Sequence, residues 1–354
     1  MNSRILLTCI VFYCGIANAQ EIQYIDARTL NLYGKAHSGG AHYHRVDTAR
    51  YSDMPRSVKR LSTQASGLCI AFKTNSREIH ARWSTPITRT LRNLPAVASH
   101  GLDLYIRRDG QWVFAGAAVP HDSVSTRRIV GNMAEGEKEC LLFLPLYAEL
   151  FNLEIGVQPG STLESLSIPW KGKVVIYGSS ITQGASASRP GMSYPSILSR
   201  HLGYEFVNLG FSGSGKMEES VSRMIADIKE VDLFILDCAA NPSPQQIEER
   251  TESFVKYIRQ HHPNVPILMI ASVVREGSNF DSNVREMVTG QNSNFEKAYK
   301  RLLASGVKNL HFIKGDELLG RDHEGTIDGT HPNDLGFDRM VKVIEPRVRK
   351  LLRK

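Results

Sequence analysis

Four short stretches of the sequence hold the residue types that an acyl-transfer site needs. They are Gly178-Ser179-Ser180-Ile181, Asn208-Leu-Gly-Phe-Ser-Gly213-Ser214, Cys238-Ala-Ala-Asn241-Pro242 and Asp328-Gly-Thr-His331-Pro332. A serine hydroxyl is a weak nucleophile until a base takes its proton, and His331 is the candidate base. The imidazole must be held in one tautomer and orientation, and Asp328, three residues earlier, can accept its other ring N–H. The tetrahedral intermediate carries an oxyanion that needs preorganised donors. Candidates for that role are the backbone N–H groups of Ser180 and Gly213 and the side-chain amide of Asn241. A glycine at 213 would let the backbone approach substrate with no Cβ in the way. Each stretch alone also has a structural explanation: a serine capping a strand-to-helix turn, an asparagine at a strand end, a turn before a helix. Their joint occurrence, each after an expected strand or in the terminal loop, points to chemistry.

Elements able to carry these groups follow from the pattern of the second half. Val174-Val-Ile176 is a short β-branched run of the kind buried on both faces of a parallel sheet. Strands are expected at 174–177, 205–209, 232–237, 266–271 and 310–313. Helices are expected between them at 193–202, 216–229, 245–261 and 292–305, and a last one near 334–352. Such alternation implies a parallel sheet with helices on both faces, and ligands bind such sheets at the carboxyl ends of the strands. The first three stretches would then lie along one edge, with the fourth folding over them.

The four stretches, in this order, resemble the SGNH (GDSL-type) esterase and acylhydrolase superfamily over roughly residues 170–354. By that resemblance Ser180, rather than its neighbour Ser179, matches the nucleophile. Gly213 and Asn241 match the oxyanion residues, and Asp328 and His331 match the D-x-x-H pair. The sequence departs from the common pattern at Ser179, where Asp is usual, and at Ala240 and Pro242, where Gly and Asp are usual. The resemblance implies an α/β class protein with a flavodoxin-like α/β/α sandwich, a serine esterase needing no metal or other cofactor. It also implies a small acyl ester as substrate, with acetyl on a carbohydrate expected first. A lipid or thioester acylhydrolase of the same superfamily is the second expectation, and a non-catalytic carbohydrate-binding protein is the reading from another class.

Residues 20–169 read differently. Strands are expected at 68–72, 78–83, 102–107, 112–115, 139–144 and 153–157, several of them alternating apolar and polar residues. Asp109-Gly110 is a hairpin signal between two of them. This is the pattern of an all-β, jelly-roll-like sandwich. Gly101-Leu-Asp-Leu-Tyr105 resembles the β-domain that precedes the catalytic module in some bacterial SGNH proteins. That domain either adds loop contacts to substrate, with Trp83 and His100–Tyr105 as candidate regions, or only supports the catalytic domain. Arg189 and Tyr194 are open in the same way: substrate contacts, or a surface arginine and a core tyrosine. His42-Tyr-His44 alternates on an expected strand and offers two ligands to a metal, with no third evident.

At 354 residues and 42% hydrophobic composition the chain is long enough for two cores. Arg4, the apolar run Ile5–Ile16 and Ala17-Asn18-Ala19 form a secretory signal, so residues 1–19 are expected to be removed. The run is too short to span a membrane, and the protein is expected to be secreted or periplasmic. Cys69 and Cys140 could pair in that compartment, while Cys238 reads as a buried free thiol. The net charge of +7 is diffuse, with no basic stripe interleaved with aromatics, so nucleic acid is not an expected partner.

Overall fold

The structure is a computed structural model that describes residues 21–86 and 91–353. Residues 1–19, expected to be a signal, lie outside the described residues. The chain first lays down β1 (Gln23–Asp26), β2 (Asn31–Tyr33), α1 (Arg56–Ser62), β3 (Cys69–Thr74), β4 (Ile79–Ser84), α2 (Ala96–His100) and β5 (Leu102–Arg108). It continues with β6 (Gln111–Ala118), β7 (Val124–Val130), β8 (Lys138–Phe143), β9 (Asn152–Val157) and β10 (Leu163–Ser165). These strands form two antiparallel sheets, one in the order β1-β9-β4-β7 and the other β10-β3-β8-β5-β6 with β2 on β3. Ile70, Phe72, Leu102, Leu104 and Leu142 of one sheet meet Ile79, Ala81, Trp83, Leu153 and Ile155 of the other in a shared core. Asp109 and Gly110 both take positive φ, 50° and 77°, as the two-residue turn between β5 and β6 demands.

The strands without a sequence expectation are β1, β2, β7 and β10. β7 shows why: it is an edge strand pairing β4 alone, and only Ser125 and Ile129 on it are buried. An edge strand needs little apolar surface, so its pattern is weak. Cys69 and Cys140 are free. They lie on opposite faces of one sheet, Cys140 in the sandwich core and Cys69 in the cluster with Tyr105 and Phe143. Side chains on opposite faces cannot be bridged without moving the backbone. His42 and His44 sit in a turn rather than on a strand, and His44 Nε2 is 2.6 Å from Glu149.

The second part consists of β11 (Lys173–Gly178), α3 (Ser180–Gln183), α4 (Tyr194–Leu202), β12 (Glu205–Gly210), α5 (Glu219–Ala226) and β13 (Leu233–Asp237). α6 (Pro244–His261), β14 (Ile267–Ile270), α7 (Ser282–Ala304), β15 (Leu310–Ile313) and α8 (Asp334–Leu351) complete it. All strand pairs are parallel. The order β12-β11-β13-β14-β15 is that of a flavodoxin-like sheet, whose switch point lies between β11 and β13. Val175 and Tyr177 face the cluster containing α5, α6 and α7 residues, and Val174 and Ile176 face the one containing α4 and α8 residues. That two-sided burial is why the strand reads as a continuous apolar run. α7 begins ten residues before the helix expected at 292–305. Asp281 caps it, accepting from the N–H groups of Asn283 and Val284, and its polar first turns hid the helical periodicity. Among the described residues no helix is long and apolar enough to cross a membrane.

The antiparallel part keeps a core of its own, and it also contributes to both clusters around the parallel sheet. Ala36, Val46, Tyr51, Met54, Val58 and Leu61, from the chain before β3, pack with the parallel sheet. Leu94, Ala98 and Leu146 join the cluster on its other face. The alternation of β5 makes the junction: Leu102 and Leu104 point into the sandwich, so Asp103 and Tyr105 point the other way. There Asp103 Oδ2 accepts from Arg189 Nη1 and from the Gly191 N–H, both at 2.8 Å, and Arg189 also donates to Tyr105 Oη at 2.6 Å.

Candidate active site

β11 ends at Gly178, where the chain turns sharply into α3. A Cβ at 178 would fall 1.9 Å from Thr182 Oγ1, so this close approach requires glycine. Ser179 is the helix cap: its backbone is extended and its Oγ accepts from the Ile181 N–H at 3.2 Å. Ser180 is the first helical residue, and its Oγ lies 2.9 Å from His331 Nε2. The two adjacent serines therefore divide structural and chemical positions between them. Beneath the turn, Thr182 Oγ1 and Tyr194 Oη donate to the buried Asp237 Oδ2 at 2.7 and 2.6 Å.

His331 arrives from the loop between β15 and α8. Its Nδ1 is 2.8 Å from Asp328 Oδ2, so Nδ1 carries the proton and Nε2 is left to accept from Ser180. The backbone N–H groups of Thr330 and His331 donate to Asp328 Oδ1 at 3.0 and 2.8 Å, the self-bonding turn that an aspartate favours. Burial alone would raise the Asp328 pKa. The donors from His331 and from Asn93 outweigh it and bring the carboxyl down to about 2. The loop is tied to its neighbours, since the Glu276 N–H donates to Gly329 O at 2.8 Å and Arg275 Nη2 to Ala240 O at 2.8 Å. The His331 side chain is 23% exposed, and Ser180 beside it is buried, with 8% of its surface open.

The other two predicted stretches follow β12 and β13, on either side of β11. Asn241 Oδ1 accepts from the Gly215 N–H at 3.1 Å, so its Nδ2 is the end available as a donor. Gly213 has φ +68°, and a Cβ there would meet no protein atom within 4 Å. The backbone conformation, rather than crowding by the protein, is what calls for glycine at this position. The loop is pinned by Gln183, whose Oε1 accepts from the Ser212 N–H at 3.0 Å. Arg45 lies below, fully buried, donating through Nη1 to Asn208 O and Gly210 O at 2.8 and 2.9 Å.

Trp83 does not approach this site. It is buried in the sandwich, its indole N–H donating to His100 O at 2.9 Å. Asp103, Tyr105 and Arg189 are occupied with one another, and Tyr194 is a core tyrosine. The antiparallel part reaches the site at places that carry no sequence signal. Tyr147 Oη donates to Ser180 O at 3.3 Å, and Asn93 Nδ2 donates to Asp328 Oδ2 at 2.9 Å. An open groove borders the His331 loop, with Leu94, Pro95, Ile327 and Leu335 as its apolar lining.

Comparison with known proteins identifies the family and the fold. The model of the GDSL-like Lipase/Acylhydrolase family matches residues 171–349. A second, described as "N-terminus of Esterase_SGNH_hydro-type", matches residues 22–163. The solved structure of a protein from Bacteroides ovatus described as a GDSL-like lipase is 53% identical, over 94% of this chain and 98% of that one, with TM-score 0.92. The fold is also shared with a salicylyl-acyltransferase from a tetracycline biosynthetic pathway, at 20% identity and TM-score 0.76, over 93% of this chain and 97% of the other. A family two carbohydrate esterase from Clostridium thermocellum, solved with cellohexaose, shares it at 14% identity and TM-score 0.58, over 81% of this chain and 93% of the other. No curated protein matches the chain.

Proposed function

The chain belongs to the GDSL-like lipase/acylhydrolase family and is an ester hydrolase; from that premise we propose an exported serine esterase that removes a small acyl group, acetyl first, from a carbohydrate. Its signal is residues 1–19, its β-domain 20–169 and its catalytic domain 170–354. The observation that carries the reading is the relay from Ser180 Oγ through His331 to Asp328, with links of 2.9 and 2.8 Å. Ser180 Oγ attacks the ester carbonyl carbon as its proton passes to His331 Nε2. The oxyanion is met by the N–H groups of Ser180 and Gly213 and by Asn241 Nδ2. The C–O bond then breaks, the alcohol leaves with the proton held on Nε2, and an acyl group stays on Ser180. Water, deprotonated by the same imidazole, releases the acid and restores the serine.

Support for a polar substrate comes from Arg275, Glu276 and Asn279 in the segment beside the His331 loop, which also exposes Phe280. The apolar lining of the groove favours the second reading, an acylhydrolase for longer acyl chains: Ile327 is 54% and Leu335 44% exposed. Each buried methylene is worth about 0.8 kcal/mol, so the two readings separate in a chain-length series of p-nitrophenyl esters run beside acetylated sugars. The carbohydrate reading expects acetate and acetylated sugars to be preferred. A kcat/KM climbing steadily from acetate to decanoate would replace it with the second.

A further inference from the structure

The Asp328 carboxylate is closed by four donors, and one of them comes from the other part of the molecule. Oδ1 takes two backbone N–H groups and Oδ2 takes His331 Nδ1. The remaining place on Oδ2 is filled by Asn93 Nδ2 at 2.9 Å. Asn93 follows β4 in the chain and lies more than two hundred residues before Asp328. The amide must face the carboxylate with its nitrogen, because its oxygen at that distance would repel. Asn93 Nδ2 is also 3.3 Å from His331 Nδ1, but both carry protons, so that is proximity and not a bond. The position of Asn93 is fixed locally: Leu94 is buried against the parallel-sheet core, and Pro95 opens α2.

We propose that Asn93 is a positioning residue of the hydrolytic site, acting through Asp328 to set the orientation and basicity of His331. This inference rests on the assignment of Ser180, His331 and Asp328 to the reaction. A hydrogen bond to the oxygen that also accepts from the imidazole does two things. It adds a fourth hold against rotation of the carboxylate about its Cβ–Cγ bond, and it draws negative charge away from the His331 contact. Without it the carboxylate holds a protonated imidazole more tightly, so the base becomes free only at higher pH. Other charged groups near His331 are already engaged. Asp334 accepts from Ser188, Glu276 lies 2.7 Å from His323 Nδ1, and Arg275 donates to Ala240 O. Arg92, the neighbour of Asn93, is exposed. All of these remain in the variants below.

The test uses the full chain and p-nitrophenyl acetate, with kcat, KM and the pH profile measured for wild type, Ser180→Ala, Asn93→Ala and Asn93→Asp, and folding checked by thermal unfolding. Asn93→Ala is expected to lower kcat about 10-fold or more, as loss of a hydrogen bond to a charged group does, with KM little changed. The acid limb of its profile should move to higher pH, and Asn93→Asp, which adds negative charge at the same place, should move it further. A residue that only packs the loop would alter stability or KM and leave the limb where it is. Should the alanine variant not fold, the isosteric aspartate reads the same limb. If Ser180→Ala keeps activity, the site assignment fails and this inference with it. If Ser180→Ala is inactive while folded Asn93 variants match wild type in kcat and acid limb, the inference alone is overturned.

Discussion

Ser179 and Ser180 differ by one position and by everything that decides reactivity. The first spends its oxygen on the Ile181 N–H, and the second presents its oxygen to an imidazole. The sequence offered both, and only the family resemblance chose between them. Asn241 shows the same logic in an amide. Its oxygen is held by the Gly215 N–H, which orients the nitrogen as a donor without a second anchor. An oxyanion donor works in the transition state and contributes little to binding the ground state. Asn241→Ala is therefore expected to lower kcat by roughly 10²–10³-fold, with KM nearly unchanged in steady-state assays. A rise in KM at constant kcat would make Asn241 a substrate-binding residue instead.

At the scale of elements, the turn from β11 into α3 rests on Asp237 at the end of β13. Burial pushes this carboxyl from its ordinary value of 3.8 up to about 6, although Tyr194 and Thr182 donate to it and pull the other way. A pKa raised in the folded state contributes stability that is fully present below 3.8 and is lost as pH rises through about 6. Asp237→Asn should remove that slope. The unfolding free energy of wild type minus variant, measured in urea, should fall between about pH 4 and 7 by an amount on the order of 3 kcal/mol. A difference that stays flat across the window, or rises, would show that Asp237 remains charged at no cost. Asp237 was invisible as a functional support because, in sequence, it is the last residue of an apolar strand. The strands of the parallel sheet were legible, since two-sided burial forces a continuous apolar run. The edge strand β7 and the polar first turns of α7 were not, because they bury too little to impose a period.

In the molecule as a whole, the antiparallel and parallel parts are locked together around the turn from β11 into α3. Asp103 is fully buried and its cation, Arg189, comes from the segment just after α3. Arg45, Tyr147 and Asn93 reach across the same boundary to Gly210, Ser180 and Asp328. The shift from alternating strands to a strand–helix rhythm near residue 170 was plain in the sequence. These crossings were not, because a lone Arg, Tyr or Asn in a loop has no periodicity to betray its partner. Removing one member of a buried ion pair leaves an uncompensated charge, which costs about 3–5 kcal/mol. Arg189→Ala should therefore cost most of that in urea unfolding, while the double change Arg189→Met with Asp103→Leu should cost less than the single one. A loss below about 1 kcal/mol for Arg189→Ala would mean that the junction does not depend on this pair.

Ester hydrolysis is proposed to run through an acyl group carried on Ser180. Treating the full chain with a small fluorophosphonate and locating the adduct by peptide mass spectrometry tests this step. One adduct on Ser180 is expected, in step with loss of esterase activity, absent in Ser180→Ala and strongly slowed in His331→Ala. An adduct on Ser179, or full inactivation with Ser180 unmodified, would contradict it.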